Sequence, residues 1–506
     1  MRMMAAEVGF GGALKVLAED RQVTRIGESV FATGAVSADT LELVTSVLTR
    51  MRRTIEPLDV VGIRAVATSA VRDARNQAEF LRRAKDALGV EVETISGLEE
   101  ARLIHMGVMA DHAFARGRHL LIDIGGGSAE FILSENGKLR GAYSKPLGAV
   151  RLWQSFLKSD PATPVEVQQL ERYIDEKMEE AIAEFGRGHI HFAIGTSASA
   201  SAAVCAIKGI PRAKRETASG QSVRQDQLQQ LYERLVPMTL EQRQEVTGIG
   251  PRRAEIIVPG VALLSRALAA FGVDELTYSN AGVRDGIVLD LASRGVGRER
   301  LRLNDEQRAV VESLAERFHV NLAHVRRVAE FASDLFVSLA ELHELPQSFG
   351  RILEAACHLH DVGHFVSATK HHKHSLYIVS NVDLPSFTEA EQRIISVLCR
   401  YHRKSMPTQS HLEFTGLSDV ERRAVLFLIP LLRIADACDR SKDQRVSRLA
   451  CQIGHGSVTI ELHHCPPMDL ELWAIERNAA IFKEIYRRNL SVVPVSIQPT
   501  GQLQLV

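Results

Sequence analysis

A carboxylate followed by a glycine-rich turn lies between two apolar runs in the first half of the chain. The run from Leu120 to Ile122 is typical of a buried strand, and it is followed by Asp123, Gly125, Gly126, Gly127 and Ser128. Glycine has no Cβ atom, so the backbone can turn sharply and direct several N–H groups at one anion. A carboxylate beside such a turn can hold a divalent cation against phosphate oxygens. The segment indicates a phosphate-binding loop with a metal ligand at Asp123, and a glycine-rich hairpin with an ordinary turn aspartate is the alternative.

Two adjacent acidic residues, Glu99 and Glu100, precede this turn in the segment ISGLEEARLI. Negative charge at a helix start favours the helix dipole, which is the ordinary explanation for such a pair. If one carboxylate instead faces a phosphate, it can polarise an attacking water as a general base. The residues alone leave both interpretations open.

Two further segments carry hydroxyl and guanidinium groups just beyond predicted strands. Arg72 lies in ATSAVRDARN, and Thr196 and Ser197 follow the strand-like run 190–194. A guanidinium fork matches phosphate oxygens, and loops at the carboxyl ends of strands are where α/β sheets bind ligands. The alternative for Arg72 is a helix cap with solvated arginines.

The elements that position these groups alternate between strand and helix. Strands are predicted over 14–23, 60–67 and 90–95, and helices over 40–51 and 78–88. This alternation favours an α/β sheet.

A second alternating unit runs from about 119 to 293 and contains a hairpin-turn signal at Asn136-Gly137. Beyond 302 the pattern becomes mostly helical, beginning with a capping box formed by Asn304 and Gln307. Strand signals return near 445.

The composition restricts the class of protein. A chain of 506 residues predicts three or four domains, and the formal net charge of -1 gives no reason to expect binding to nucleic acid or membranes. The 6 cysteines are scattered without a CxxC pair, which is typical of reduced thiols in the cytoplasm. No apolar run reaches transmembrane length and no signal peptide is recognisable, so we expect a cytoplasmic protein.

Taken together and in order, the motifs closely resemble the exopolyphosphatase/guanosine pentaphosphate phosphatase (Ppx/GppA) family. The matching segments are ATSAVRDARN (67–76), ISGLEEARLIHMGV (95–108), LLIDIGGGSAEF (120–131), AIGTSAS (193–199), IIVPG (256–260) and SNAGVRDG (279–286). The block around Glu99-Glu100 is specific to this family, whereas DIGGGS alone belongs to the whole actin-like ATPase and sugar-kinase superfamily. The resemblance covers nearly the whole chain.

The resemblance implies an α/β + α fold with four parts. We expect two ribonuclease-H-like domains (1–116 and 117–298), a mostly helical HD-like domain (303–444) and a small α+β C-terminal unit (445–506). The family has two phosphate loops. The chain begins with a segment that resembles the strand following the first of these loops. The first strand and first phosphate loop of domain I are therefore expected to be missing.

The resemblance also implies an activity, namely hydrolysis of the terminal phosphoanhydride bond of inorganic polyphosphate, with guanosine pentaphosphate as a close second substrate. By position, Glu100 matches the catalytic base, Asp123 the ligand of Mg²⁺ or another divalent cation, and Glu130 a possible helper. The residues that match phosphate contacts are Arg72, Gly125, Gly126, Gly127, Ser128, Thr196 and Ser197. A homodimer is expected, and the missing loop motivates one alternative, a catalytically impaired binder of polyphosphate or of guanosine tetra- or pentaphosphate.

The helical half carries a second candidate metal site. His324, His360, Asp361 and Asp436 occur in the order of the HD phosphohydrolase fingerprint, each within an apolar helical run. Imidazoles and carboxylates that converge from separate helices suit a divalent metal. This site motivates another alternative function, a nucleotide phosphohydrolase acting through the HD-like domain.

Other residues of the helical half leave its role open. His374 and His402 are possible additional ligands or phosphate contacts. The alternatives to a metal site are a polar core network, or a polyphosphate channel lined by basic side chains: Lys370, Lys373, Arg400, Arg403 and Lys404.

Overall fold

The chain forms two compact units, residues 1–297 and 298–506. The computed structural model describes residues 1–9, 13–111, 114, 116–186, 188–294, 300–465 and 467–496. Within these described residues, no helix is long and apolar enough to cross a membrane. The expected domain boundary at 298 lies outside the described residues, and the division into four domains stays a prediction.

In the residues of unit 1 that the structure describes, three sheets combine with helices. Its strands are β1 (Arg2–Val8), β2 (Leu14–Arg21), β3 (Ala65–Ala67), β4 (Val92–Thr94), β5 (Arg118–Ile124), β6 (Ala129–Glu135), β7 (Lys138–Lys145), β8 (Phe192–Thr196), β9 (Ser222–Arg224) and β10 (Glu275–Tyr278). Its helices are α1 (Ile26–Thr33), α2 (Ala38–Ile55), α3 (Ser69–Arg72), α4 (Gln77–Leu88), α5 (Gly97–Met109), α6 (Ala149–Phe156), α7 (Pro164–Phe185), α8 (Ser197–Lys208), α9 (Gln225–Leu235), α10 (Leu240–Gln244), α11 (Pro251–Ala254), α12 (Ile257–Phe271) and α13 (Val283–Ser293), with 3₁₀ turns at Glu56–Leu58 and Arg212–Ala218.

The main sheet of unit 1 has six strands in the order β7-β6-β5-β8-β10-β9. β5, β8 and β10 run parallel, whereas β6 and β7 form an antiparallel hairpin beside them. Leu120, Leu121 and Ile122 are fully buried because β5 is a central strand covered on both faces. The predicted turn at Asn136-Gly137 is confirmed, since both residues have positive φ, 52° and 74°, as a tight hairpin requires.

The strand predicted over 60–67 is wrong in its length. Only residues Ala65–Ala67 form a strand, which pairs in parallel with Val92–Thr94. The strand predicted over 90–95 is therefore shorter than predicted as well. Val61 is 83% exposed, so the apolar residues before position 65 have no sheet to pack into. β1 and β2 form a separate antiparallel pair.

The described part of unit 2 is mostly helical, with one small sheet. Its helices are α14 (Asp305–Arg317), α15 (Leu322–Ser338), α16 (Ala340–His343), α17 (Ser348–Leu359), α18 (His371–Asn381), α19 (Glu389–Tyr401), α20 (Leu412–Thr415), α21 (Asp419–Ala437), α22 (Asp469–Glu476) and α23 (Ala479–Tyr486), with a 3₁₀ turn at Val362–Phe365. Its strands are β11 (Val446–Ile453), β12 (Ser457–His464) and β13 (Asn489–Ser496), in the order β11-β12-β13. The predicted capping box is confirmed at the start of α14, where the Asn304 side chain accepts from the backbone N–H of Gln307.

Candidate active site

A row of polar side chains crosses four neighbouring strands of the main sheet. Thr196 on β8 is in register with Asp123 on β5, Asp123 with Glu130 on β6, and Glu130 with Ser144 on β7. Residues in register point to the same face of a sheet, so the four side chains are neighbours. The Thr196 hydroxyl donates to Asp123 Oδ2, and the Ser144 hydroxyl donates to Glu130 Oε1 at 2.9 Å.

Helix α5 lies against β6 and β7 and adds Glu100 to this row. Ser96 begins the helix, because its hydroxyl accepts from the backbone N–H of Glu99 at 3.1 Å. A Cβ atom on Gly97 would lie 2.2 Å from Ser144 Oγ, so glycine is what permits this close approach. The first turn of the helix is thereby held directly over the polar row.

Glu99 and Glu100 point in different directions, since successive residues of a helix are about 100° apart. Glu99 is buried and pairs with Arg102 at 2.7 Å and with Arg64 at 3.3 Å. Glu100 is instead close enough to Asp123 for the Asp123 charge to affect its pKa. Of the two interpretations left open by the sequence, a structural role fits Glu99 and a role beside the phosphate loop fits Glu100.

The three acidic groups of the site, Glu100, Asp123 and Glu130, are buried and lie close enough for their charges to interact. Burial and the Asp123 charge raise the pKa of Glu100 to about 7, although Arg72 opposes the shift. Burial, Glu100 and Asp123 likewise raise the pKa of Glu130 well above its usual value. Burial also raises the pKa of Asp123, against the hydrogen bond from Thr196 and the charge of Arg2.

This arrangement suits a bound cation. Glu100 Oε2 and Glu130 Oε2 are both buried without a hydrogen-bond partner. Buried carboxylate oxygens normally have partners, and hard divalent cations such as Mg²⁺ are bound by oxygen ligands. Asp123 and Glu130, with Glu100 beside them, therefore fit a divalent cation.

The glycine loop directs its carbonyl groups at helix α6. The carbonyl of Gly125 accepts from Ala149 N at 3.0 Å, and that of Gly126 accepts from Val150 N at 3.0 Å. The carbonyl of Gly127 accepts from Gly148 N at 3.2 Å. In a trans peptide the N–H points opposite to the C=O, so the N–H groups of the next three residues, Gly126, Gly127 and Ser128, point away from α6. Successive N–H groups turned to one side are the arrangement that binds anions.

The other predicted phosphate contacts also lie around the ends of β5 and β8. Ser197 has φ 72°, and its hydroxyl both donates to Ile124 O at 3.0 Å and accepts from Ile124 N at 3.3 Å. These two hydrogen bonds hold the end of β5 beside the start of α8. Arg72 donates to Ile95 O at 2.6 Å and acts electrostatically on Glu100, which places it near the acidic groups.

A cluster of arginines beside this site was missed by sequence reasoning. Burial, Arg284 and Arg215 lower the pKa of Arg2, whereas Asp123 opposes the shift. Burial and four neighbouring arginines lower the pKa of Arg21 to about 10. Burial and the charges of Arg21 and Arg2 similarly lower the pKa of Arg253 to about 10. We call this set the arginine cluster: Arg2, Arg21, Arg212, Arg215, Arg253 and Arg284. No sequence signal joins them, because they come from distant segments.

Unit 2 has its own group of candidate ligands. Donor atoms of His324, His360 and Asp436 lie within 4.8 Å of one another. Asp436 Oδ1 is 3.3 Å from His324 Nε2 and 3.4 Å from His360 Nε2. Both of these nitrogens are buried without a hydrogen-bond partner. Asp361, the fourth predicted ligand, has Oδ1 at 3.7 Å from His360 Nε2.

The other ring nitrogen of each histidine is held in place. His324 Nδ1 lies 2.8 Å from Asp439 Oδ2, and His360 Nδ1 lies 2.8 Å from the carbonyl of Cys357. When Nδ1–H donates to such an acceptor, the Nε2 lone pair faces the ligand set, as in metal-binding histidines. Burial lowers the pKa of His324, yet the carboxylates of Asp436 and Asp439 outweigh burial and raise it to about 9. The negative charges of Asp436 and Asp439 therefore favour a positive charge at His324. Either a proton on Nε2 or a metal ion in the place of that proton can supply it.

The remaining residues predicted for this half have different positions. His402 contacts His371, with 3.1 Å between their Nε2 atoms. His374 belongs to neither of the two metal-ligand sets found among the described residues. Arg403 contacts the His371 ring, and Arg400 Nε lies 3.8 Å from Glu413. The polyphosphate channel stays a prediction.

Comparison with known proteins covers both units. A profile of the Ppx/GppA phosphatase family matches residues 5–294, and one of Ppx/GppA phosphatase domain III matches residues 307–471. A curated relative, the guanosine-5'-triphosphate,3'-diphosphate pyrophosphatase of Photobacterium profundum, is 26% identical over 83% of this chain and 82% of its own length.

Solved structures resemble part of the chain. The Aquifex aeolicus member of the Ppx/GppA family is 26% identical, with a TM-score of 0.51 over 58% of this chain and 94% of its own. An exopolyphosphatase-like protein is 27% identical, with a TM-score of 0.54 over 58% of this chain and 94% of its own.

Proposed function

The chain belongs to the Ppx/GppA phosphatase family, whose members are hydrolases of phosphoanhydride bonds, and we propose that unit 1 is an exopolyphosphatase. In this proposal it hydrolyses the terminal bond of inorganic polyphosphate and releases orthophosphate, and it also converts guanosine pentaphosphate to tetraphosphate. The observation that carries the proposal is the buried Glu100 carboxylate, held beside Asp123 at the end of the strand that leads into the glycine loop.

Each group of the site has a part in the proposed reaction. The N–H groups of Gly126, Gly127 and Ser128 bind the terminal phosphate, with the hydroxyls of Thr196 and Ser197 and the Arg72 guanidinium nearby. Glu100 orients a water molecule and accepts its proton as the water oxygen bonds to the terminal phosphorus. The bridging P–O bond breaks, and the shortened phosphate chain leaves with that oxygen. Asp123 and Glu130 would hold Mg²⁺ or another divalent cation, which would neutralise charge on the phosphate oxygens.

The arginine cluster supports a substrate with many negative charges. Burial, and after it the charges of neighbouring arginines, lower the pKa of Arg2, Arg21 and Arg253, so bringing these side chains together costs free energy that a polyanion would recover. Local clusters of this kind attract polyanions even when the net charge of the chain, here -1, is near zero. The pyrophosphatase named among the relatives and the exopolyphosphatase-like structure support the two substrates proposed.

The test compares Glu100→Gln with the intact chain on both substrates in the presence of Mg²⁺. Glutamine keeps the shape of the side chain but cannot accept the proton, so kcat should fall about 100-fold or more while KM changes little. Glu91→Gln, at an exposed acid of the same unit, is the control and should keep full activity. Equal rates for Glu100→Gln and the intact chain would refute the role of Glu100. Tight binding without turnover of either substrate by the intact chain would favour the alternative of an impaired binder.

We also propose that unit 2 binds a divalent metal through His324, His360, Asp361 and Asp436 and acts on a phosphorylated nucleotide. The observation that favours it is the pair of buried Nε2 atoms that face Asp436 without hydrogen-bond partners. Metal analysis of the full chain and of His324→Ala tests it, and the variant should lose the ion.

Homodimer formation and a cytoplasmic location also stay proposals.

A further inference from the structure

Arg151, on the first turn of α6, contacts the glycine loop directly. Its Nε donates to the carbonyl of Gly127 at 3.0 Å. The same carbonyl accepts from Gly148 N at 3.2 Å, so both of its lone pairs are used. The Nη2 atom of Arg151 also pairs with the carboxylate of Asp73, the residue that follows Arg72. Arg151 has no part in the reaction proposed above.

The guanidinium of Arg151 is held by an aromatic ring as well as by its polar partners. Its Cζ lies over the ring of Phe31 on α1, 4.1 Å from the ring centroid. A Cβ atom on Gly127 would lie 2.3 Å from Phe31 Cζ and 2.6 Å from Ser69 Oγ, so both side chains pack against the loop backbone. A planar guanidinium can stack on a ring and donate from its edge at the same time, which an ammonium group cannot do. The position therefore suits arginine rather than lysine.

We propose that Arg151 is a positioning residue that fixes the phosphate-binding side of the glycine loop. This inference rests on the function proposed for unit 1 and deepens it. The carbonyl that Arg151 holds belongs to the same peptide group as the Ser128 N–H, one of the three N–H groups assigned to the terminal phosphate. Because C=O and N–H point in opposite directions across a trans peptide, a fixed Gly127 carbonyl also fixes the direction of this N–H.

A glycine loop needs such a constraint because its backbone is free to rotate. Gly125, Gly126 and Gly127 have no Cβ atom, so their peptide groups can turn at little steric cost, and a turned N–H no longer faces the phosphate. A hydrogen bond from a charged donor is roughly twice as strong as a neutral one. The positive charge also polarises the peptide group and makes the Ser128 N–H a stronger donor.

Arg151 also links the loop to the segment that carries Arg72, a predicted phosphate contact. Asp73 follows Arg72 at the end of α3, where Asp73 N donates to Ser69 O at 2.9 Å. The Arg151 and Asp73 side chains are 26% and 39% exposed. An ion pair at this exposure adds little to stability, so its effect is expected on the geometry of the site rather than on unfolding.

The experiment compares Arg151→Ala and Arg151→Lys with the intact chain on polyphosphate in the presence of Mg²⁺. Arg151→Ala should lower kcat/KM by about 100-fold, because small misplacements of binding groups have effects of this size. Arg151→Lys keeps the charge but lacks the planar fork that reaches two acceptors, so it should recover only part of the loss. Millimolar guanidinium ion should restore activity to Arg151→Ala and leave the rate of the intact chain unchanged.

Arg82→Ala, at an exposed arginine of the same unit, is the control and should keep full activity with and without guanidinium. Thermal unfolding checks that Arg151→Ala is folded. The double variant Arg151→Ala/Asp73→Asn should be as active as Arg151→Ala alone, because both changes remove the same link. Losses that multiply in the double variant would overturn the link to Asp73.

Binding of inorganic phosphate, measured by titration calorimetry, tests the inference without turnover. Arg151→Ala should bind phosphate about 10-fold more weakly than the intact chain. Unchanged kcat/KM and unchanged phosphate affinity in this variant would overturn the inference, as would a loss that neither guanidinium nor lysine restores. If Glu100→Gln is as active as the intact chain, the proposed base is refuted, and the phosphate affinity of Arg151→Ala still decides the role of Arg151.

Discussion

Small differences between neighbouring residues decide the chemistry of unit 1. Glu99 and Glu100 are adjacent and chemically identical, yet one is neutralised by arginines and the other faces Asp123. The acid beside Asp123 has its pKa raised towards neutrality, which is what a general base working near pH 7 requires. The position of a side chain relative to its neighbours, rather than its type, separates the two roles.

Gly148 is a residue whose importance follows from the shape of the glycine loop. A Cβ atom at this position would lie 2.3 Å from the backbone of Gly126 and Gly127. Gly148→Ala should therefore displace the loop, lower the free energy of unfolding by about 1–3 kcal/mol and lower kcat/KM by roughly 100-fold. Chemical denaturation and steady-state kinetics measure the two effects.

The control for this change is Gly282→Ala, because nothing lies within 4 Å of a Cβ atom there. It should shift the free energy of unfolding far less than Gly148→Ala. Similar effects for the two variants would show that the close approach of Gly148 to the loop is unimportant.

Among the elements, helix α5 is the one that brings the proposed base, Glu100, beside Asp123. Its position relative to α13 is set by buried ion pairs, with Arg102 joining Glu99 at 2.7 Å and Asp290 at 2.7 Å. Arg64 adds a contact to Asp290 at 2.7 Å. Breaking a buried pair of this kind costs several kcal/mol, so the helix is held in one rotation.

Helix α5 also makes the stability of unit 1 depend on pH through His105. Burial, and to a smaller extent Arg102, lower the pKa of His105 to about 4. The unfolded chain has the ordinary histidine pKa of about 6.5, so as the pH falls below about 6.5 the unfolded state takes up a proton that the folded state does not. Stability should fall as the pH drops from about 6.5 to about 4, by at most about 3 kcal/mol from this group.

Urea unfolding of the intact chain and of His105→Gln at several pH values measures the effect. Glutamine does not titrate and keeps a donor for Ser134, whose hydroxyl lies 3.0 Å from His105 Nε2. His105→Gln should lose less stability than the intact chain between pH 6.5 and 4. His189→Gln, at an exposed histidine, is the control and should lose as much stability as the intact chain. Parallel pH profiles for the intact chain and His105→Gln would contradict the prediction.

For the whole molecule, the main feature is that each unit contains its own hydrophobic core. The largest core cluster lies entirely in unit 2 and includes Leu431, and the core of the main sheet lies entirely in unit 1 and includes Leu263. Both leucines are fully buried. Separate cores are expected to unfold as separate cooperative units.

Calorimetry of two matched variants tests this expectation. Leu431→Ala and Leu263→Ala should each cost about 2–5 kcal/mol by leaving a cavity. Each should lower the temperature of one thermal transition and leave the other unchanged. A single transition that shifts equally in both variants would show that the two cores unfold together.

The sequence alone determined the local features, because they depend on residues that are near one another in the chain. The apolar run before Asp123, the hairpin turn at Asn136-Gly137 and the capping box at Asn304 are all confirmed. The resemblance to the Ppx/GppA family is confirmed as well, since its motifs are short continuous segments.

Only the tertiary structure decided which distant groups meet. Strand register placed Thr196 and Ser144 beside Asp123 and Glu130, and helix rotation separated Glu100 from Glu99. The arginine cluster draws on segments with no common sequence signal. Such groupings depend on packing between elements, which no local pattern encodes. For the same reason the strand predicted over 60–67 was wrong in length, because a strand extends only as far as its partner does.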